Sequence, residues 1–279
     1  MYEQLKPLLF SIDPEKAHHF STGALQTALA IPGLSHAIKG HFRTDDARLR
    51  RTVFGIDFPN PVGLAAGFDK DGKLYGDMAA LGFGFVEIGT VTPRPQKGNN
   101  HPRLFRLPDD GAIINRMGFN NAGVWAMVDK LKYRTDQPRI ILGGNIGKNK
   151  DTFNEDAHKD YLLCFDALHD FVDYFVINVS SPNTPNLRSL QDKEPLAKLL
   201  GILQLENQKR AKPKPILLKI APDLSWSQLD DVLEVAEQTQ LAGLVATNTT
   251  LDRTLLRTDT NHLVTIGNGG VSGAPLTQR

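Results

Sequence analysis

Tyr174-Phe175-Val176-Ile177-Asn178-Val179-Ser180-Ser181 is the stretch whose reading decides the architecture. Its apolar residues run on without alternation, as in a strand covered on both faces, and it ends in small polar side chains. The same form recurs on either side. Upstream lie Pro61-Val62-Gly63-Leu64-Ala65-Ala66-Gly67, Phe85-Val86-Glu87-Ile88-Gly89-Thr90 and Ile140-Ile141-Leu142-Gly143-Gly144-Asn145; downstream lie Ile216-Leu217-Leu218-Lys219-Ile220 and Gly243-Leu244-Val245-Ala246-Thr247-Asn248. Helical patterns separate the later runs: 154–170 with Tyr161, Leu162, Phe165, Leu168 and Phe171, 194–210 with Leu196, Leu199, Leu200 and Leu203, and 226–239 with Leu229, Val232, Leu233, Val235 and Ala236. Six strands joined through helices by short connections predict a parallel α/β sheet. A (β/α)8 barrel of the TIM type is favoured over an open sheet, because every strand ends in a polar residue suited to chemistry and only a barrel brings all those ends to one mouth. In an open sheet the functional ends gather at a single switch point.

Composition narrows the function. Lys plus Arg is 32 against 31 Asp plus Glu, which gives no basic footprint for nucleic acid. The sole cysteine, Cys164, excludes an internal disulfide, a Cys-rich zinc site and a cysteine-ligated iron–sulfur cluster within this chain. It falls on a helical pattern and reads as a core residue. No apolar run is long enough to span a bilayer, and Met1-Tyr2-Glu3 does not open a secretory signal.

Two regions break the strand–helix rhythm. Residues 92–118, with Pro93, Pro95, Gly98, Asn99, Asn100, Pro102 and Pro108, form a long loop containing a short extended piece at Arg103-Leu104-Phe105-Arg106-Leu107; long loops of this kind are commonly lids or binding loops. Residues 1–42 form an N-terminal helical hairpin ahead of a barrel domain at 43–279. Leu5, Leu8, Leu9 and Ile12 have helical spacing, Asp13-Pro14-Glu15 reads as a cap with proline in the first turn, and a second helix runs to about Ala30 before Pro32-Gly33. The hairpin is either simple packing or a module that meets a membrane surface or a lipid-like ligand; His18, Thr22, Leu25 and Leu29 share one face, mostly apolar with a polar handle.

The strand ends supply Asn145, Asn178, Ser181, Thr247 and Asn248, and the loops add Asn115, Asn120, Asn121 and Asn183. An amide offers both a donor and an acceptor, so converging Asn side chains suit a flat ring with alternating C=O and N–H edges, such as a pyrimidine. Asn is also an ordinary turn residue, and each one alone carries little; their repetition at strand ends is the signal. Lys219 interrupts an apolar run, where a charge is costly unless it meets an anion or ligand. It can stabilise an anionic reduced flavin, hold a carboxylate or form a Schiff base. Lys70 stands at another strand end, after Ala65-Ala66-Gly67-Phe68-Asp69.

On these motifs the chain resembles the quinone-linked, class 2 dihydroorotate dehydrogenases. Gly63-Leu64-Ala65-Ala66-Gly67-Phe68-Asp69-Lys70-Asp71-Gly72, Glu87-Ile88-Gly89-Thr90-Val91-Thr92-Pro93, Asn115-Arg116-Met117-Gly118-Phe119-Asn120-Asn121 and Asn178-Val179-Ser180-Ser181-Pro182-Asn183-Thr184-Pro185-Asn186-Leu187-Arg188 carry the resemblance. Leu218-Lys219-Ile220-Ala221-Pro222-Asp223, Thr247-Asn248-Thr249-Thr250 and Gly269-Gly270-Val271-Ser272-Gly273 continue it in order, over essentially the whole chain.

The resemblance implies oxidation of (S)-dihydroorotate to orotate in pyrimidine biosynthesis, with FMN as hydride acceptor and a membrane quinone as final acceptor. It implies that Ala66, Gly67, Phe68, Asp69, Lys70, Thr90, Asn145, Asn178, Lys219, Thr247 and Gly273 line the flavin site. Lys70, Asn115, Arg116, Met117, Gly118, Phe119, Asn178, Asn183, Asn248 and Thr249 would hold dihydroorotate. Ser181 would be the catalytic base, where soluble relatives have cysteine, and His18 and Arg106 would face the quinone pocket. Thr184 is a candidate to hold a relay water, because a bare serine is a weak base. The N-terminal helices imply peripheral association with the cytoplasmic face of a bacterial cell membrane. The family pattern continues past Gly273 with a helix and two further barrel strands, whereas the sequence runs to Arg279; the expectation is a barrel incomplete at its C-terminal end. Three alternatives stand beside this reading: a flavin-free inactive fragment, an aldolase-type barrel using Lys219 as a Schiff base, and a related flavin-dependent pyrimidine reductase, which Ser181 and the hairpin disfavour.

Overall fold

The computed structural model describes residues 2–134 and 139–277. It opens with helices α1 (Tyr2–Ser11), α2 (Pro14–Ala30) and α3 (Pro32–Phe42). Asp13 caps α2, its carboxylate accepting the N–H groups of Glu15 and Lys16, as the Asp-Pro-Glu pattern predicts. The expected hairpin gains a third arm. Pro32 starts α3 instead of closing the module, because proline fits the first turn of a helix and the extended Ile31 separates the two.

A small hairpin of β1 (Arg51–Val53) and β2 (Ile56–Phe58) follows. Then come β3 (Gly63–Leu64), α4 (Tyr75–Ala80), β4 (Phe85–Val91), β5 (Leu104–Leu107), β6 (Ala112–Asn115), α5 (Val124–Lys132), β7 (Ile141–Ile146), α6 (Ala157–Leu168), β8 (Tyr174–Asn178), α7 (Lys193–Gln208), β9 (Ile216–Ile220), α8 (Trp226–Gln238), β10 (Gly243–Ala246), α9 (Thr260–Ile266) and β11 (Gly270–Gly273). Strands β3, β4, β7, β8, β9 and β10 lie side by side in chain order, all parallel, as a curled sheet occupying six barrel positions. The run from Pro61 contributes only Gly63–Leu64 as strand, its remainder turning away toward Lys70.

Register assigns the two faces. Val86, Ile88, Leu142, Phe175, Ile177 and Leu218 pack outward against the helices in the principal core. Phe85, Ile141, Tyr174, Val176, Leu217 and Val245 face inward. Both faces are therefore apolar, which is why these runs do not alternate. The β1–β2 hairpin plugs the N-terminal end of the sheet: Phe58 meets Phe85 edge-on at 5.2 Å between ring centroids, and Ile56 joins the inner cluster. One row higher, Gly143 sits in register with both Glu87 and Tyr174. A Cβ at Gly143 would lie 2.4 Å from the Tyr174 ring, so glycine is what lets that ring lie across the inner face.

At the C-terminal ends of the strands, β5, β6 and β11 form an antiparallel sheet with its own core of Leu107, Ile114, Leu263, Ile266 and Val271. Among the described residues no helix is long and apolar enough to cross a membrane.

Candidate active site

The side chains at the sheet's C-terminal edge interlock. The register of β4 shifts between Gly89 and Val91, which turns Thr90 to the side of Asn145. The Thr90 hydroxyl donates to Asn145 Oδ1 (2.6 Å), and Asn178 Nδ2 donates to both Thr90 Oγ1 (2.8 Å) and Asn145 Oδ1 (3.2 Å). Asn178 Oδ1 accepts from the Ser180 N–H, the Ser180 hydroxyl (3.2 Å) and Asn248 Nδ2 (3.3 Å). Asn248 Nδ2 reaches Ser180 Oγ as well, at 3.0 Å. Four strand ends are thereby knotted through Asn178. Behind it, the buried Tyr161 hydroxyl donates to the Asn178 carbonyl (2.8 Å), fixing the strand end from α6.

Beneath the amides lie two buried charges. Lys219, 7% exposed, pairs in register with Asn178, and Glu87, 6% exposed, lies on the same inner face. Burial pulls the Lys219 ammonium below its ordinary pKa, and the Glu87 charge partly offsets this. Burial pushes the Glu87 carboxyl up, opposed by Lys219 and by the neighbouring Asn145 amide. Glu87 is the site residue that residue-type reasoning missed. Its signal, a charge inside Phe85-Val86-Glu87-Ile88, is the one that singled out Lys219.

The Ser181 loop closes one side. Ser181 is buried, its Oγ accepting the Asn183 N–H at 3.3 Å. Asn183 Nδ2 donates to the backbone and side-chain oxygens of Asn115, both at 3.1 Å, joining this loop to the end of β6. Gly270 on β11 is pressed against Thr249 and Pro182, so both loops pack on the antiparallel sheet.

On the opposite side, Lys70 Nζ donates to the Gly67 carbonyl (2.9 Å). Burial, then the Arg103 charge, lower its pKa to about 8. The Asp69 carboxylate accepts the Lys73 and Leu74 N–H groups, which makes it a local brace for α4. Phe68 is exposed and meets His18 of α2 edge-on at 4.7 Å. Burial, with the charges of His19 and Lys70, holds His18 below its ordinary pKa. Arg106 donates to the Ile12 carbonyl (2.8 Å) and lies over the Phe10 ring. Both residues expected at a quinone pocket thus sit where the N-terminal helices meet the barrel.

Several expected site residues have other partners. Arg116 donates to the carbonyls of Pro102 and Ile266. Phe119 belongs to the principal core, while Gly118 abuts Asn99 and the Met117 carbonyl accepts the Asn99 N–H. Thr247 is exposed beyond the end of β10. Gly273 pairs with Ala112, at the end of β11 remote from Asn115, roughly 10 Å along the strand.

The arrangement fits a flavin. Among the described residues Asn145 Nδ2 and Glu87 Oε2 are buried without a hydrogen-bond partner, and the desolvated Lys219 ammonium acts on Glu87. Buried polar atoms of this kind call for a ligand or ordered water, and a ring edge with C=O and N–H groups supplies matching partners.

The dihydroorotate dehydrogenase family model matches residues 48–279. A quinone-type dihydroorotate dehydrogenase of Christiangramia forsetii is 56% identical, with 100% of this chain and 80% of the relative covered. One from Synechococcus sp. (strain JA-2-3B'a(2-13)) is 50% identical over 99% of this chain and 76% of its own length. The ligand-free crystal structure of DHODH from Eimeria tenella superposes with a TM-score of 0.83 at 39% identity, covering 95% of this chain and 76% of that one. Its complex with ferulenol superposes at 0.80, covering 94% and 73%. Sequence motifs, the curled parallel sheet and these relatives agree, and the chain belongs to the dihydroorotate dehydrogenase family, in its quinone-dependent class.

Proposed function

We propose that this chain oxidises (S)-dihydroorotate to orotate with flavin mononucleotide as the bound acceptor, and that a membrane quinone takes the electrons onward. Its family makes it an oxidoreductase of pyrimidine biosynthesis; the proposal adds which residues do the work. The observation that carries it is the amide knot of Thr90, Asn145, Asn178 and Asn248, with Asn145 Nδ2 unpartnered among the described residues and Lys219 buried in register with Asn178.

When bound, the flavin supplies the hydride acceptor, chemistry that no side chain offers. Ala66 to Lys70, Thr90, Asn145, Asn178, Lys219, Thr247 and Gly273 would hold it. Lys219 would supply a cation to offset the negative charge that reduction adds to the flavin, a fixed electrostatic stabiliser in a buried site. Lys70, Asn115 to Phe119, Asn178, Asn183, Asn248 and Thr249 would orient dihydroorotate. Ser181 Oγ takes the proton from the ring carbon next to the one that loses hydride. Serine is a weak base and needs a path for that proton. Thr184 Oγ1, on the same loop, is buried and has no hydrogen-bond partner among the described residues, which suits a relay water.

The N-terminal helices supply the quinone side, with His18 and Arg106 at their junction with the barrel. Leu5, Leu8, Phe20 and Leu34 are exposed on them, which favours peripheral contact with a membrane, at the cytoplasmic face of a bacterial cell.

The test is anaerobic mixing with dihydroorotate while the flavin absorbance is followed. Ser181→Ala is expected to slow bleaching by about 10²-fold or more, and Thr184→Val by roughly tenfold, with flavin content unchanged. Bleaching at the unsubstituted rate in Ser181→Ala would remove Ser181 from the base role.

A further inference from the structure

Arg188 is the last residue of the longest motif, in the helical turn Leu187–Gln191 that follows the Ser181 loop. Its guanidinium reaches three segments. Nε donates to the Ser180 carbonyl (3.0 Å), Nη2 to the Thr249 carbonyl (2.8 Å) and Nη1 to Asp223 Oδ2 (2.8 Å). These acceptors follow β8, β10 and β9 respectively. Asp223 extends the link, because its carboxylate also accepts the Thr250 hydroxyl and the Leu251 N–H (3.0 Å). Burial alone would raise the Asp223 carboxyl, but the bonds from Thr250 and Leu251 and the Arg188 charge together hold it below its ordinary value. Both side chains are largely sheltered, at 21% and 22% exposure, so solvent competes little for these bonds.

We propose that Arg188 is a positioning residue that locks the loop carrying Ser181 to the loop carrying Asn248 and Thr249, with Asp223 as its anchor. The inference rests on the reading of Ser181 as base and of Asn248 and Thr249 as substrate ligands. The base and its substrate come from different strands, and their relative position must be held to a fraction of an ångström for proton transfer. Asn248 already bridges to Ser180 Oγ, but through a single flexible amide. Arg188 ties the two backbones themselves. Arginine is suited to this and lysine is not: its donors are fixed in a plane and point to three acceptors at once, whereas an ammonium is a point charge on a flexible stem.

The test measures amide hydrogen exchange across residues 180–184 and 249–251, which needs no bound flavin, together with anaerobic flavin bleaching by dihydroorotate. In Arg188→Ala both segments are expected to exchange faster together. Bleaching should slow by about 10²-fold while flavin content holds, the scale of a misplacement near the reacting atoms. Guanidinium ion added to solution should recover part of the rate, which a variant merely loosened in its fold would not allow. Arg188→Lys keeps the charge facing Asp223 but loses the fork, so it should fall between the two. If Arg188→Ala does not fold, Arg188→Lys and Asp223→Asn carry the test. Unchanged exchange in either segment, no response to guanidinium, or Arg188→Lys equal to the unsubstituted chain would overturn the proposal. Failure of the underlying reading looks different: Ser181→Ala would then bleach normally, whereas failure of this inference leaves Ser181→Ala slow and Arg188→Ala fast.

Discussion

At the residue scale, Lys219 and Glu87 share a dry inner face of the sheet. The folded-state pKa of Glu87 is raised by burial, so the folded chain keeps a proton that the unfolded chain releases. That contribution to stability is present below the ordinary carboxylate range and fades as pH rises through the raised value. Lys219 limits the loss. Lys219→Met should therefore cost less at mildly acidic pH than at mildly alkaline pH, because Glu87 loses the opposing charge of Lys219 as it ionises, and the difference should reach about 1 kcal/mol or more. Urea denaturation of both chains at the two pH values measures this, and a penalty that does not grow with pH would break the link between the two charges. Lys219 was legible as a misfit in an apolar run, and the Asn and Ser residues as repeated polar strand ends. The partner of each was not, since Thr90 and Asn145 lie 55 positions apart when their side chains meet.

At the scale of elements, α2 is bound to the long 92–118 loop by a buried fork. Arg103 Nε and Nη2 donate to the two carboxylate oxygens of Glu15 at 3.0 and 2.7 Å, and Nη1 donates to the carbonyls of Lys97 and Asn99. Asn99 in turn contacts the backbone of Arg116 and Met117, so the N-terminal helices are connected to the expected substrate loop. The hydrogen bond from Arg103 holds the Glu15 carboxyl below its ordinary value even against burial. For a depressed carboxyl, the stabilisation is present above the unfolded pKa and lost as pH falls through the folded one. Acidification through the range below about pH 4.5 should thus loosen α2 first. Hydrogen exchange over residues 14–30 reads this directly. Glu15→Gln should abolish that acid response and weaken docking at neutral pH by roughly 3 kcal/mol, because Arg103 is left buried without its counter-charge. The helices themselves were readable from the Asp13 cap and the apolar spacing. The start of α3 was not, because a proline after a helix signals a stop and a new first turn equally well.

At the scale of the whole molecule, the helices present exposed Leu8 and Phe20, at 65% and 66% exposure, away from their contacts with the barrel. If they rest on a bilayer, Leu8→Ser and Phe20→Ser should each weaken partitioning into lipid vesicles by about tenfold, with dihydroorotate-driven flavin bleaching untouched. Vesicle co-sedimentation decides it; equal partitioning in the variants would place the membrane contact elsewhere. The sequence by itself determined the parallel sheet and the chemical character of its strand ends. Burial on both faces demands continuous apolar runs, and a barrel's working edge demands polar residues where those runs stop. Only the tertiary structure decided that Glu87 answers Lys219, that Arg103 grips Glu15 and that Arg188 spans three loops. Each brings together polar groups from separate segments of the chain, and such pairings leave no periodic trace along a sequence. They exist only once the sheet has curled and brought the segments together.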